Sequence, residues 1–376
     1  MKSFLSIGIW VIGGIGVCIG WGCQPQPESK GETDSMVAVD KDPEVIRQDS
    51  IRKMILSLTE QIAMHPKNPA LFTERSYLYY TSGKTTEAIQ DIEKAISINP
   101  KDAESYYLRG FYELVGNRDS TAKVYLLKAV DLGSENPETY YSLGNLEVFI
   151  EKYNDARKWY LVAMKKDSLD PAYPFAYGLS YYQQKNYSQA LVWFNKSLDL
   201  DPYYSKTLSQ LYTYYFEVAK NVSLADKYNN QMLTADSLHP IARFNRASVL
   251  LQKGLKLKST AAENSKSAYV ADSLLFLAVE EYTRSLTRSP GYVLALYNRG
   301  YAYRTLGLIP EAKKDFEKVL RLDPYHSKSY FMLATLYEYG KDYENAKKFY
   351  EIALQLQPDF PEAEAAIEEL DAQIKK

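Results

Sequence analysis

At 376 residues, with 46% apolar and 24% charged side chains, the chain is long enough for two or three ordinary domains or one extended repeat array, and it is composed like a folded body. Lys and Arg number 45 against 47 Asp and Glu, and the two signs balance over residues 43–376, so the basic surplus of a phosphate-reading protein is missing and nucleic acid is set aside as a partner. The two Cys, Cys18 and Cys23, both precede the body, which therefore holds no disulfide and no thiolate metal site, and three His nearly empty the list of acid–base or metal centres.

Residues 1–22, MKSFLSIGIWVIGGIGVCIGWG, put one Lys before an apolar run from Phe4 to Trp21 and end on small residues, the layout of a secretory signal. Gly20 and Gly22 precede Cys23. This resembles the lipobox of bacterial lipoproteins, in which cleavage leaves Cys at the new N-terminus to carry acyl chains. The family's usual Leu three residues before the Cys is Gly20 here, and Trp21 is bulky for its place. The resemblance implies lipidation at Cys23 and a membrane-anchored, outer-membrane or periplasm-facing place on the bacterial cell envelope. Two other readings stand beside it. The run can stay as a membrane anchor, although its Gly residues weaken a helix, or a plain signal can be cut to leave no anchor. Residues 23–42 carry Pro, Gly, Ser and mixed charge with little apolar periodicity, which predicts a flexible tether.

Residues 43–66 read as a lone N-terminal capping helix closing at Pro66. Beyond it the chain repeats itself. A small residue recurs at Ser76, Gly110, Gly144 and Gly178, and Ala recurs at Ala88, Ala122, Ala156 and Ala190, each step being 34 residues. The pattern returns at Gly300 and Ala334 with Ala312 and Ala346. Clear copies are YNRGYAYRTLGLIPEAKKDFEKVLRLDP (297–324) and YFMLATLYEYGKDYENAKKFYEIALQLQP (330–358).

These residues resemble the tetratricopeptide repeat, whose pattern is an aromatic, Leu-Gly, Tyr, then Ala, an aromatic, Ala and a closing Pro. The resemblance covers residues 43–376. It implies an all-α fold, an α-solenoid (right-handed superhelix) of about eight helix-turn-helix repeats over 69–360. The repeats start at Pro69, Ala103, Pro137, Pro171, Ser205, Pro240, Val293 and Ser327. Arg stands for the usual Leu at Arg75, Arg109, Arg246 and Arg299, and the fifth repeat is one residue long with Leu224 where the packing Ala belongs. The sixth repeat is longer than the period, with the excess near 255–273, expected as lengthened helices or a loop, or as a docking element.

The physics fits the pattern without the name. Small residues let helix A approach helix B. Pro100, Pro202, Pro324 and Pro358 stop helix B, and a unit that cannot bury its own apolar face must stack on the next. Residues 361–376 begin with Pro and carry acids early and Lys late, which predicts a C-terminal capping helix.

No catalytic centre is visible. His65, His239 and His326 sit at repeat junctions, too far apart for one site and expected as caps or solvated turns. The Gly residues form no phosphate cradle, and the acids read as solvated helix faces. No metal and no cofactor is expected.

In the repeat family the A helices build the concave wall, and the family's groove positions are taken here by Tyr77, Tyr80, Tyr107, Phe111, Tyr141, Asn145, Phe175, Tyr182, Phe216, Phe244, Tyr297, Tyr301 and Phe331. Tyr offers large contact area, a hydroxyl and little entropy loss. Others of the 34 Tyr read as packing residues, among them Tyr79, Tyr160, Tyr181, Tyr282 and Tyr350. The Lys-Asn-Asn-Lys-Arg clamp, with which some members grip a terminal carboxylate, is absent. Thr73, Tyr77, Leu108, Glu138 and Ser142 stand in its place, and the lone Asn245 and Asn298 do not restore it.

The expected protein is thus a non-catalytic, lipid-anchored scaffold binding a protein or extended peptide along an aromatic groove. A narrower alternative is an adaptor or assembly factor for envelope enzymes or outer-membrane machinery. A third is a glycan-binding protein, and a homo-oligomer is left open.

Overall fold

A computed structural model describes residues 43–262 and 265–374. The signal at 1–22, Cys23, the tether to residue 42, and Glu263 and Asn264 of the sixth repeat lie outside the described residues. Two compact units are distinguished, Met1–Met54 and Ile55–Lys376. Of the first, only the opening turns of a helix are described. The second holds the repeats.

The described chain is all-α. A helix α1 (Pro43–Met64) is followed by helical hairpins: α2 (Pro69–Thr81) with α3 (Thr85–Ile98), α4 (Ala103–Val115) with α5 (Asp119–Asp131), α6 (Pro137–Phe149) with α7 (Tyr153–Lys166), and α8 (Ala172–Gln183) with α9 (Tyr187–Leu200). Then come α10 (Ser205–Thr213) with α11 (Val222–Ala235), α12 (Pro240–Thr260) with α13 (Lys266–Arg288), α14 (Val293–Thr305) with α15 (Ile309–Leu322), and α16 (Ser327–Tyr339) with α17 (Tyr343–Leu356). The last helix is α18 (Pro361–Ile374). Each hairpin packs on the next, which makes an α-solenoid.

Local chemistry sets the helix ends. Asn68, Asp102 and Asn136 accept hydrogen bonds from the first-turn amides of α2, α4 and α6, and Pro opens α2, α6 and α12. Outside the sixth hairpin, the A-to-B turns each pass through one left-handed residue: Gly83, Asn117, Glu151, Lys185, Lys220, Gly307 or Lys341, with φ between 53° and 79°. The amides at such a turn bond back to the last carbonyls of helix A, as Gly83 N does to Tyr80 O and Lys84 N to Tyr79 O.

Inside each hairpin the repeated Ala is wholly buried, at Ala88, Ala122, Ala156, Ala190, Ala312 and Ala346. Large side chains from helix B, foremost Leu126, Tyr160, Phe194, Phe316 and Tyr350, fill the space beside the small residue of helix A. The buried hydroxyls do not go unmet. Tyr112, from the second helix A, pairs with Ser76 of the first. Tyr160 donates to Asn145, Tyr173 to Glu138, and Tyr350 to Glu338. Burial pushes the Tyr112 and Tyr282 hydroxyls up to about 12. This tyrosine packing between helices accounts for much of the Tyr surplus.

Two Arg at the usual Leu position form one motif twice. Arg75 bonds both oxygens of Asp91 at 2.7 Å and reaches Thr59 at 2.9 Å. Arg299 bonds Asp315 at 2.7 Å twice and Thr283 at 3.0 Å. Each guanidinium thus ties its own hairpin to the helix before it. Arg109 is also buried, between Glu113 and Glu93, whereas Arg246 is exposed.

The fifth repeat departs from expectation. The sequence puts Leu224 at the packing Ala position, but Ala225 is the residue that is wholly buried and Leu224 is half-buried. The extra residue is taken up by a π-helical turn, Tyr214–Val218, at the end of α10, which shifts the register of α11 by one. In the sixth repeat the excess lengthens both helices, to 21 and 23 residues. At the C-terminal end, α18 closes the stack with Ala363 and Leu370, both fully buried, and the Lys347–Asp371 pair.

Candidate functional site

The A helices carry the groove candidates, and the structure sorts these by depth. Tyr77 is exposed at 52% and is the only one of the thirteen that is. Tyr80, Phe111 and Tyr107 form a half-buried row, with ring centroids 5.2 Å apart for Tyr80–Phe111 and 6.3 Å for Tyr107–Phe111. Tyr182 meets Tyr187 and Tyr214, and Phe216 stacks on Tyr212. Phe244 packs between Tyr282 and Tyr292, Tyr297 between Phe316 and His326, and Phe331 between Tyr350 and Phe360. Tyr301 is half-buried against the hydrophobic clusters of the last repeats.

Three candidates are corrected. Tyr141 is buried between Tyr160 and Tyr173, and Phe175 between Phe194 and Tyr204, so both are packing residues rather than free contacts. Asn145 spends its side-chain oxygen on the Tyr160 hydroxyl at 2.8 Å. The thirteen do not form one uninterrupted wall.

What the structure does bring together is a cluster at the N-terminal ends of α4, α6, α8 and α10. Its centre is Glu138, which accepts a hydrogen bond from the Tyr173 hydroxyl at 2.9 Å. Burial holds the Glu138 carboxyl above its usual range, and Asp170 raises it further, against the Tyr173 bond and Lys206. Glu104 lies at the rim of the cluster and is likewise raised by partial burial, although Asn136 donates to it at 3.1 Å. Tyr107 is pushed up by burial and by the negative field of Glu138 and Glu104. Tyr204 is raised by burial, Asp170, Asp201 and Glu138. Tyr hydroxyls and carboxylates therefore share one partly desolvated site, with Lys206 as the nearby cation. Such a site favours a positively charged or N–H-rich ligand and opposes a carboxylate.

Glu104, Glu138, Asp170, Tyr173 and Tyr204 are not among the groove positions expected from the sequence, where the acids read as solvated faces. A usable signal is present all the same: Glu104 and Glu138, like Tyr107 and Tyr141, are one repeat period apart.

Two histidines act as helix caps. His239 Nδ1 accepts from Ala242 N at 3.3 Å, and His326 Nδ1 from Ser329 N at 3.2 Å. Burial lowers both pKa values from 6.5. A lowered folded pKa means the unfolded chain takes up protons first, so this stability is complete above 6.5 and is lost as pH falls through and below it. Melting should therefore occur at lower temperature at about pH 5.5 than at about pH 7.5. The drop should shrink in a His239→Asn/His326→Asn variant, whose caps do not titrate. An equal drop in both proteins would remove these caps as the cause. Among the described residues, no group of three metal-capable side chains occurs, and no helix is long and apolar enough to cross a membrane.

Sequence profiles described as tetratricopeptide repeat match residues 175–204, 293–326 and 327–360, and one described as TPR repeat matches 77–115. The chain carries tetratricopeptide repeats. The repeats are 34% identical over 99 residues to Hsp70-Hsp90 organizing protein 2 of Arabidopsis thaliana, which is 26% of this chain and 17% of that protein. They are 48% identical over 48 residues to an FK506-binding protein-like protein of Mus musculus, 13% of this chain and 14% of that one. The chain thus spans under a fifth of the length of these relatives. Among solved structures, the Cut9–Hcn1 hetero-tetramer of the APC/C has a TM-score of 0.50 at 16% identity, covering 87% of this chain and 59% of that one. A monomeric mutant of IFIT1 has a TM-score of 0.53 at 12% identity, covering 86% and 87%. These structural likenesses show the solenoid fold.

Proposed function

We propose that this tetratricopeptide array is a non-catalytic scaffold that holds a protein or an extended peptide against its A helices, and that it is lipid-anchored through Cys23 on the bacterial cell envelope. The observation that carries the binding reading is the cluster of half-buried Tyr107 and Tyr204 around Glu104, Glu138 and Asp170, with wholly buried Tyr173 holding Glu138 from within. It offers hydrogen-bond acceptors and aromatic faces on the A-helix surface, which suits a partner segment bearing Lys or Arg. The name of the Arabidopsis relative refers to organizing Hsp70 and Hsp90. The carboxylates here, and the absence of the Lys-Asn-Asn-Lys-Arg clamp, set this chain apart from a reader of terminal carboxylates.

The test is a photo-crosslinking residue placed at exposed Tyr77 in intact cells. A specific protein adduct is expected, and no adduct beyond background would overturn the reading. Binding of the captured partner to a Glu104→Gln/Glu138→Gln variant should weaken about tenfold, as a charge-assisted contact becomes neutral, while helicity stays native. Because both carboxyls are raised by burial, the wild-type interaction should begin to fail as pH falls while still above 4.5.

The anchor is tested separately. Fatty-acid labelling in cells should vanish in a Cys23→Ala variant, and labelling that persists would sink the lipoprotein reading.

A further inference from the structure

The fifth hairpin reverses the packing of its neighbours. At the inner place of the other hairpins helix A supplies a small residue and helix B a large one, as Gly178 and Phe194 do in the fourth and Ala247 and Tyr282 in the sixth. In the fifth, α10 supplies the large residue, Tyr212, and α11 the smaller, polar Asn229, and both are buried. The π-helical turn Tyr214–Val218 brings this about. It moves α11 on by one residue, so that Asn229 takes the inner place and half-buried Tyr228 stacks on Tyr215 at 5.6 Å instead.

Asn229 carries the reversal into the joint with the sixth hairpin. Its Nδ2 donates to the Ala242 carbonyl of α12 at 3.0 Å, and its Oδ1 accepts from Asn245 Nδ2 at 3.0 Å. Leu208 and Met232 reach the same joint, but the buried apolar residue that α12 offers them is only Ala242. The ring near the start of α12, Phe244, packs instead on Tyr282 of its own hairpin and on Tyr292 beyond it. Among the described residues, no ring of 205–235 pairs with a ring of the sixth hairpin. The joints on either side are closed by rings, Phe175 against Tyr204 before it and Phe244 against Tyr292 after it. The Arg288–Asp236 pair across the joint is long, at 3.7 Å, and its arginine is exposed, so it adds little.

We propose that this joint is the hinge of the array. Repeats one to five and repeats six to eight move as two arms, and the Asn229–Asn245 pair parts as they open. Two amides that part are met by water, which replaces the bonds they lose, so opening costs only the small net worth of each bond. Parting two rings exposes apolar surface, for which water offers no such replacement. The joint between the fifth and sixth hairpins therefore yields before its neighbours, at the ends of elements where hinges absorb backbone change. The Glu138 cluster lies on one arm and Tyr297, Tyr301 and Phe331 on the other, so opening changes the spacing of these groups along the A helices. The hinge itself does not depend on what the A helices bind.

The test uses the full chain with Cys18→Ser and Cys23→Ser and two engineered thiols that carry spin labels on exposed positions of the B helices. Val192→Cys/Glu280→Cys spans the joint. Lys158→Cys/Lys227→Cys and Glu280→Cys/Lys348→Cys each span the same number of hairpins within one arm. Dipolar distance measurements should give a 192–280 distribution at least about twice as wide as either control. Because 280 belongs to one control as well, motion of that label alone would widen both. Asn229→Leu/Asn245→Leu, which sets apolar side chains in the joint, should narrow the 192–280 distribution to the width of the controls. Equal widths for the three pairs would overturn the hinge, and this comparison decides without the variant. A variant that keeps native helicity and leaves the 192–280 width unchanged would overturn the role of the amide pair.

Discussion

Gly144→Val is expected to destabilise the array by at least about 3 kcal/mol, at the upper end of overpacking effects. A Cβ at Gly144 would sit 2.3 Å from Cε1, 2.6 Å from Cδ1 and 2.8 Å from Cζ of Tyr160. No real carbon atoms approach so closely, so either the ring or the helix must move. The ring has little freedom. Tyr160 is 1% exposed, its hydroxyl is held by Asn145, and its ring lies against Tyr141. Moving helix α6 instead would open the α6–α7 hairpin and disturb the packing of Tyr141 on Tyr173, which links it to the next repeat. Because each repeat is stabilised by its neighbours, damage in the third one splits the array rather than trimming an end. Gly340→Ala is the control: the nearest atoms to its Cβ are backbone oxygens at 3.4 and 3.6 Å, an ordinary contact. Denaturant unfolding of both variants measures the difference. Equal midpoints would mean that the close approach at Gly144 carries no energy.

This same approach explains why the fold is legible in the sequence. Ser76, Gly110, Gly144 and Gly178 recur because each is matched by a bulky side chain sixteen positions later, Ile92, Leu126, Tyr160 or Phe194, so the period of the chain is the period of the packing. The A-helix positions are legible too, but not their depth. Tyr107 and Tyr141 hold the same place in successive repeats. Tyr141 is buried because Tyr173 packs on it from the next repeat, while Tyr107 is left half-covered. Periodicity marks a face, whereas burial depends on the side chain that the next repeat happens to supply. For that reason Glu138 reads as one more surface acid, though Tyr173 and its own burial make it the centre of the candidate site. The π-helical turn at Tyr214–Val218 is invisible for another reason. One extra residue can be absorbed as a loop or as a bulge, and only the buried position of Ala225 decides between them.

The second large effect is expected at Asp315. Its carboxylate is 5% exposed and takes two hydrogen bonds from Arg299, itself only 18% exposed. Burial alone would lower the Arg299 pKa, but bonding to Asp315 raises it overall, so the pair is folded in its charged form. Asp315→Ala leaves a guanidinium inside the stack with Thr283 as its remaining hydrogen-bond partner at 3.0 Å. An uncompensated buried charge of this kind costs about 3–5 kcal/mol. Removing both charges should cost much less. Arg stands here where the repeat pattern usually has Leu, so Arg299→Leu restores an apolar side chain to an apolar place. The Arg299→Leu/Asp315→Ala double variant should therefore melt closer to the wild type than Asp315→Ala alone, which gives the two sites a strong coupling in a double-mutant cycle. Additive effects would instead assign the loss to cavity formation at Asp315. If the cycle shows coupling, the matching Arg75–Asp91 pair should respond alike, since it has the same geometry and reaches back to Thr59 of α1 in the same way. The Arg at the Leu position then ties its own hairpin to the helix before it where Asp stands sixteen residues later; Arg109, with Tyr125 at that place, is held instead by Glu113 and by Glu93 of α3, and Arg246 is exposed.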